Sequence, residues 1–269
     1  MMDQARFAAQ KAKQQQDPAP ISSVGECPIL VTDSASLWAE LAPFQVDPRQ
    51  MRKYRIVTFA RSDPAYVTFD TMRTKIAQVL REKNWTSIAL TSPTPDCGKS
   101  MICLNLAFSF ARQKDCRTVL VDLDLRRPRI AELLGLPGTS SVEKFLRRES
   151  GIEDVFGRYG DSLAVGLGHR ASPDSAELLQ SADTAQALRD LRQRLKPDVT
   201  IYDLPPMLVS DDALGFLPNV DCVMLVVAAE ANTINEIDIC ERDLTERTNL
   251  LGVVLNKCRF FQETYGYYS

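Results

Sequence analysis

Residues suited to phosphate and metal chemistry occur at three places in the chain. At the first, Gly98, Lys99 and Ser100 follow a short apolar run and open a helical pattern. In such a turn backbone N–H groups cradle a β-phosphate, the lysine bridges β- and γ-oxygens, and the serine hydroxyl binds Mg²⁺. The candidate nucleotide-binding residues of this loop are Asp96, Cys97, Gly98, Lys99, Ser100 and Met101. The strict pattern places a glycine five residues before Gly98, where this chain has Pro93.

Asp96 occupies a loop position where glycine is usual, because the backbone there tends to need a positive φ. Aspartate tolerates that conformation better than most residues. Its charge is the larger obstacle, since a carboxylate about 4 Å from a phosphate charge costs about 4 kcal/mol at an effective dielectric near 20. Either the Asp96 side chain points to solvent or Mg²⁺, or the loop binds nucleotide poorly.

Carboxylates follow two other apolar runs. Asp122 and Asp124 are two residues apart, so an extended chain places them on the same side, and Asp203 ends a later run. Such carboxylates bind Mg²⁺ directly or through water, and one can accept the proton of an attacking hydroxyl. The alternative for acids at these positions is to cap the next helix, which is the role expected for Asp211 and Asp212.

Alternating apolar runs and helical patterns predict the scaffold that positions these residues. The predicted strands are Ser87–Thr91, Thr118–Leu123, Leu163–Leu167, Val199–Leu204, Asp221–Val227 and Leu251–Leu255. The predicted helices are 65–82, 99–113, 175–195 and 232–247. Runs that are apolar on both faces and alternate with helices indicate a doubly wound α/β fold, with a mainly parallel sheet covered on both sides. Such sheets bind ligands at the carboxyl ends of their strands.

The flanking segments have a different composition. Residues 1–33 are rich in Gln, Ala, Lys, Pro and Ser and are expected to form a flexible leader. Residues 34–64 are expected to form an irregular arm on the core, 65–258 the P-loop domain, and 259–269 a tail without periodicity.

Composition narrows the class of protein. The 269 residues are 45% hydrophobic and 25% charged, with 32 basic and 35 acidic side chains and a net charge of −3, which argues against a nucleic-acid binder. No apolar run has the roughly 18 residues that span a bilayer. Seven cysteines without paired spacing suit a reducing compartment, and the single histidine excludes a site built from several histidines. We therefore expect a cytoplasmic protein.

Three motifs occur in a specific order: T-S-P-x-P-x-x-G-K-S at 91–100, V-D-L-D-L-R-R-P at 121–128 and Y-D-L-P-P-M-L at 202–208. With them the chain resembles the bacterial tyrosine kinases of polysaccharide synthesis. More narrowly, it resembles the stand-alone cytoplasmic kinases that are paired with a transmembrane polysaccharide co-polymerase. The resemblance extends from about residue 65 to the C-terminus.

The resemblance implies that Lys99 and Ser100 bind ATP and Mg²⁺. It implies Asp122 as the base toward a tyrosine hydroxyl, Asp124 and Asp203 as organisers of the metal, and Asn256 near the nucleotide base. It further implies that the protein forms a homo-oligomer and that a transmembrane co-polymerase activates it. The protein would reach the inner face of the membrane only through that partner.

Two further features bear on the resemblance. Members of the family commonly end in a tyrosine cluster that a neighbouring subunit phosphorylates, and here Tyr265, Tyr267 and Tyr268 are the candidate acceptors. The family also carries a Glu-x-x-Arg-x-x-Arg contact motif, whose counterparts here are Val67, Asp70 and Arg73. Asp70 and Arg73 could pair across a subunit interface or within their own helix.

Two rival functions remain open from the sequence. A catalytically weak or silent nucleotide-binding regulator of the co-polymerase would explain Asp96. A partitioning-type ATPase of the same broad fold would carry an extra lysine early in the loop, but that position is Thr94 here.

Overall fold

The computed structural model describes residues 34–61, 63–138 and 141–258. The strands formed by these residues are β1 (Ala42–Pro43), β2 (Ser87–Thr91), β3 (Thr118–Asp122), β4 (Phe156–Tyr159), β5 (Leu163–Gly166), β6 (Val199–Asp203), β7 (Cys222–Ala228) and β8 (Asn249–Asn256). They form one sheet in the order β1-β4-β5-β3-β6-β2-β7-β8, in which the β4–β5 pair is antiparallel and every other pair is parallel.

Helices connect the strands and cover the sheet. The α-helices of the described residues are α1 (Ser34–Glu40), α2 (Pro48–Lys53), α3 (Tyr66–Lys83), α4 (Lys99–Ala111), α5 (Ile130–Leu134), α6 (Val142–Leu146), α7 (Ile152–Val155), α8 (Ser175–Gln180), α9 (Ala182–Leu195), α10 (Asp212–Phe216) and α11 (Ile234–Arg247). The doubly wound α/β architecture predicted from the apolar runs is confirmed.

The sheet separates two hydrophobic cores. Successive strand residues point to opposite faces, so that in β3 Leu120 packs into one core while Val119 and Val121 pack into the other. Helices α3 and α4 contribute to the first core, and α9 and α11 to the second. Because both faces are covered, the central strands are apolar throughout rather than alternating.

The segment before α3 contains more regular structure than the irregular arm expected from its prolines. Trp38 of α1 donates its indole N–H to the Leu195 carbonyl at the end of α9, at 2.8 Å, and packs in one core. Met51 of α2 packs in the other core. Strand β1 lies between these helices and pairs with β4 at one edge of the sheet.

All six predicted strands are present, with ends within a residue or two of those expected. The helix expected over 175–195 is wrong in one respect, because it divides into α8 and α9. Ser181 interrupts it with an extended backbone, φ −70° and ψ 153°, and its side chain accepts a hydrogen bond from the Thr184 N–H at the start of α9. Strand β4 was not predicted, because its four residues combine polar and apolar side chains and are too few to show an apolar periodicity.

None of the helices in the described part of the chain is long and apolar enough to cross a membrane.

Candidate functional site

The loop between β2 and α4 has the backbone shape of a phosphate cradle. Asp96 and Gly98 have φ values of 59° and 93°, both in the left-handed region. A Cβ on Gly98 would lie 2.3 Å from the Asn256 side-chain nitrogen, so only glycine fits there. The positive φ predicted for Asp96 is confirmed, and its side chain is exposed.

Two asparagines from other elements hold this loop in place. Asn256, at the end of β8, donates to the Cys97 carbonyl at 2.8 Å. Asn232, which follows β7, donates to the Thr94 hydroxyl at 2.8 Å and accepts from the Cys97 thiol at 3.2 Å. The Cys97 side chain is buried. Asn232 was not among the predicted site residues, and its one sequence feature is a position shortly after a central strand.

Lys99 begins α4 and points toward the acidic strand ends. Its Nζ lies 3.8 Å from a carboxylate oxygen of Asp124, and both side chains are more than nine-tenths buried. Burial raises the pKa of Asp124, while the positive charge of Lys99 opposes that rise. The structure therefore brings the lysine of the loop and one predicted metal ligand into direct electrostatic contact.

Asp122 and Asp203 form a buried pair on neighbouring strands. They are aligned in the parallel register of β3 and β6, and both are fully buried. Burial raises the pKa of Asp203 to about 6, and Lys99 opposes the rise. Burial, and then the nearby Asp203 charge, raises the pKa of Asp122.

This pair has unused oxygen atoms. One oxygen of Asp122 accepts from the Ile130 N–H at 3.1 Å, while its other oxygen and both oxygens of Asp203 form no hydrogen bond of normal geometry among the described residues. The Ser100 hydroxyl and the Cys103 thiol nevertheless lie near enough to Asp203 to lower its pKa against the effect of burial. Buried carboxylate oxygens without partners are costly and rare, and oxygen donors suit Mg²⁺. The donor set thus fits a magnesium ion.

In the described ranges no group of three or more His, Cys, Asp or Glu side chains is arranged to hold a metal by itself. Magnesium is commonly held by one or two carboxylates together with substrate phosphates and water. At this site, phosphate oxygens of a bound substrate and water would therefore complete the coordination of the magnesium ion.

A cavity of about 570 Å³ opens above the loop. Of the predicted site residues, those that line it are Asp96, Gly98, Lys99, Ser100, Met101, Asp124 and Asn256. Basic side chains at Arg55, Arg127, Arg129 and Lys257 line it as well. Asp122, Asp203 and Cys97 do not line the cavity, because their side chains are buried in the protein.

Asp212 has a different role from the helix cap that we expected. It is buried, and Arg126 donates to it through Nε at 2.9 Å and through a terminal nitrogen at 2.9 Å. The Ser175 hydroxyl also donates to it. Burial alone would raise the pKa of Asp212, but the hydrogen bonds from Arg126 and Ser175 outweigh burial and lower it. The side chain joins the loops that follow β3, β5 and β6.

The two charged counterparts of the family's contact motif, Asp70 and Arg73, have partners within the chain, whereas Val67 is exposed. Arg73 contacts Asp70 at 3.4 Å along α3, which confirms the intrahelical alternative. Asp70 also pairs with Arg61 at 2.6 Å and accepts a hydrogen bond from Ser109. The candidate acceptors Tyr265, Tyr267 and Tyr268 lie outside the described residues.

Several known proteins that resemble the chain in sequence or in structure are bacterial tyrosine kinases. No protein-family model matches the chain. The chain is 29% identical over 205 residues to tyrosine-protein kinase YwqD of Bacillus subtilis, covering 75% of this chain and 85% of YwqD. It is 29% identical over 221 residues to the succinoglycan biosynthesis transport protein ExoP of Rhizobium meliloti, covering 80% of this chain and 27% of ExoP. Its structure resembles the kinase domain of Escherichia coli tyrosine kinase Etk with a TM-score of 0.68 and 25% identity, covering 79% of this chain and 84% of that domain.

Several of the matched relatives are much longer than this chain, which spans 27% to 30% of their length. The chain is thus related in sequence and in fold to the bacterial tyrosine kinases, and the resemblance predicted from its motifs is confirmed.

Proposed function

We propose that this relative of the bacterial tyrosine kinases is an ATP-dependent protein-tyrosine kinase that acts in exopolysaccharide synthesis. The observation that carries the proposal is the convergence of the Lys99 loop with three carboxylates at one edge of the sheet. The relatives named as tyrosine kinases support it, and ExoP supports the link to polysaccharide export. The same names favour a kinase over a partitioning ATPase.

In this proposal the loop amides from Asp96 to Met101 and the Lys99 ammonium bind the phosphates of ATP. Ser100, Asp124 and Asp203 would hold Mg²⁺, which when bound neutralises charge on the triphosphate. The tyrosine hydroxyl oxygen attacks the γ-phosphorus, and the bond from that phosphorus to the β–γ bridging oxygen breaks. ADP leaves, and the hydroxyl proton passes to Asp122.

Asp122 imposes a condition on this mechanism. Its side chain is fully buried, so the loop after β3 has to open, or the substrate has to enter more deeply, before a hydroxyl can reach it. Hydrogen bonds to a catalytic base often form only in the complex with substrate. Its raised pKa suits a group that takes up a proton.

The acceptors in this proposal are Tyr265, Tyr267 and Tyr268, phosphorylated by a neighbouring subunit of a homo-oligomer. The activating partner is a transmembrane polysaccharide co-polymerase, which would bring the kinase to the inner face of the membrane. An extended chain from Asn256 to Tyr267 reaches about 36 Å, enough to enter an adjacent site. Each phosphate adds nearly two negative charges, and the resulting repulsion would loosen the oligomer.

Asp96 favours a second candidate, a silent nucleotide-binding regulator of the same partner. Its carboxyl group lines the cavity in which the phosphates would bind. Repulsion between the two would weaken ATP binding and so reduce turnover.

Phosphotyrosine mapping by mass spectrometry separates the two candidates. The purified full chain is incubated with ATP and Mg²⁺, alone and with the cytoplasmic segment of the co-polymerase. We expect phosphate on the tail tyrosines, its loss in Lys99→Met, and its retention in Lys83→Met, a control on the exposed end of α3. Absence of phosphotyrosine under both conditions would leave the regulator as the function.

A further inference from the structure

The segment that follows α2 forms part of the cavity wall. Arg55 and Val57 line the cavity. The buried Asn105 of α4 fixes this segment, donating to the Arg55 carbonyl at 3.1 Å and to the Met101 carbonyl at 2.9 Å. Asn105 also accepts from the Thr58 N–H at 3.1 Å. The backbone at Arg55 is therefore tied, through one side chain, to the first turn of the helix that carries Lys99.

A second set of contacts ties this region to α5, the helix that follows the loop after β3. Gln50 donates to the Glu132 carbonyl at 2.8 Å, and the Tyr54 hydroxyl donates to the Glu132 carboxylate at 2.9 Å. Glu132 in turn pairs with Arg129, which lines the same cavity. The wall is thus fixed to α4, which begins with Lys99, and to α5, which follows the acidic end of β3.

Arg55 stands at a position where arginine is unfavourable. Helix α2 ends with the Ile56 N–H bonded to the Met51 carbonyl at 2.8 Å and the Arg55 N–H bonded to the Arg52 carbonyl at 3.1 Å. This helix ending places Arg55 at a φ of 57°, where glycine or asparagine is preferred.

Arg148 shows the same backbone at a place remote from the cavity. After α6 the Arg148 and Glu149 N–H groups make the equivalent two hydrogen bonds, and Arg148 has a φ of 60°. Its guanidinium pairs with Asp190 at 3.2 Å. Within the described part of the chain no carboxylate forms an ion pair with Arg55, an exposed residue that lines the same cavity as Lys99 and Arg127.

We propose that Arg55 binds an anionic phosphate group of the nucleotide, so that the segment after α2 supplies part of the ATP site. This inference rests on the proposed function, because the ligand is the nucleotide bound by the Lys99 loop. A guanidinium offers several N–H donors in a plane and pairs well with phosphate. The hydrogen bonds of Asn105 hold the backbone at Arg55 in place, and the Arg55 guanidinium contacts the phosphate.

Calorimetric titration of the full-length protein with ATP and Mg²⁺ tests the contact. Asparagine accepts a left-handed φ, so Arg55→Asn removes the guanidinium without forcing the backbone to change. We expect the Kd for ATP to rise about tenfold, as is usual for loss of a hydrogen bond to a charged group. Adenosine, which has no phosphate, should bind Arg55→Asn and the parent protein equally.

Arg148→Asn is the matched control, because it makes the same replacement at the same kind of helix end. Its Kd for ATP should equal that of the parent, and thermal unfolding should show both variants folded. Equal ATP affinity in Arg55→Asn and Arg148→Asn would overturn the inference while leaving the proposed kinase intact. A parent protein that binds no ATP would overturn both.

Discussion

At the residue scale, Asp96 decides how well the site accepts a triphosphate. It has the backbone conformation of a glycine and a charge that repels phosphate. Because the side chain is exposed, water and salt screen much of that repulsion. The cost of about 4 kcal/mol for a 4 Å contact, roughly a thousandfold in affinity, is therefore an upper bound.

Replacing Asp96 by glycine should therefore tighten ATP binding by about tenfold, because the repulsion is removed and the backbone strain relieved. The gain should shrink as salt is added, since added ions screen exposed charges. Asp115→Gly is the control: Asp115 has a φ of 62°, is exposed and does not line the cavity. Calorimetry that finds the same Kd for both variants would show that Asp96 does not act on the nucleotide.

Residue patterns also set the limit of what sequence could predict. Lys99 was recognisable because it opens the helix after β2. Asp122, Asp124 and Asp203 were recognisable because they lie at or just beyond strand ends, which parallel strands place together. Asn232 was not, because its partner Thr94 lies 138 residues away and an isolated asparagine has no distinctive spacing.

At the scale of elements, the loops around the site are held together by a buried acid. Asp212 begins α10 and bonds both to Arg126, after β3, and to Ser175, at the start of α8. The sequence predicted a capping aspartate because a serine precedes it in a turn. Contacts between loops that are far apart in the chain overrode that local preference.

Asp212→Asn should lower the free energy of unfolding by about 1–2 kcal/mol, since the charged hydrogen bonds to Arg126 are lost and that arginine is partly exposed. The folded-state pKa of Asp212 is below its ordinary value, so the ionised group stabilises the fold above about pH 4. That contribution is lost as pH falls through the folded-state pKa. Urea unfolding at pH 7 and pH 3 checks both statements.

The matched control is Asp161→Asn, at an ion pair with Arg158 in which the aspartate is almost fully exposed. It should change the free energy of unfolding by less than about 0.5 kcal/mol. A difference between Asp212→Asn and the parent that is equally large at both pH values would mean that the ionised carboxylate is not the source of the stability.

At the scale of the whole molecule, the sheet order explains why three separate motifs make one site. Strand β6 lies between β2 and β3, so the loop after β2, the acids after β3 and Asp203 of β6 reach the same edge. The parallel sheet and its two cores followed from apolar periodicity. The wall formed after α2 could not be predicted in this way. Prolines in the segment before α3 obscured the two short helices there, and the wall is anchored by Asn105, which is 47 residues from its partner Thr58 in the chain.

The central claim is that the loop and these carboxylates bind one magnesium-bound triphosphate. Calorimetric titration with ATP, with and without millimolar Mg²⁺, tests it most directly on the parent, Lys99→Met and Asp203→Asn. We predict that Mg²⁺ tightens ATP binding to the parent, that Lys99→Met loses binding, and that Asp203→Asn binds ATP but no longer responds to Mg²⁺. A magnesium response in Asp203→Asn as large as in the parent, or a parent that ATP does not bind, would contradict the claim.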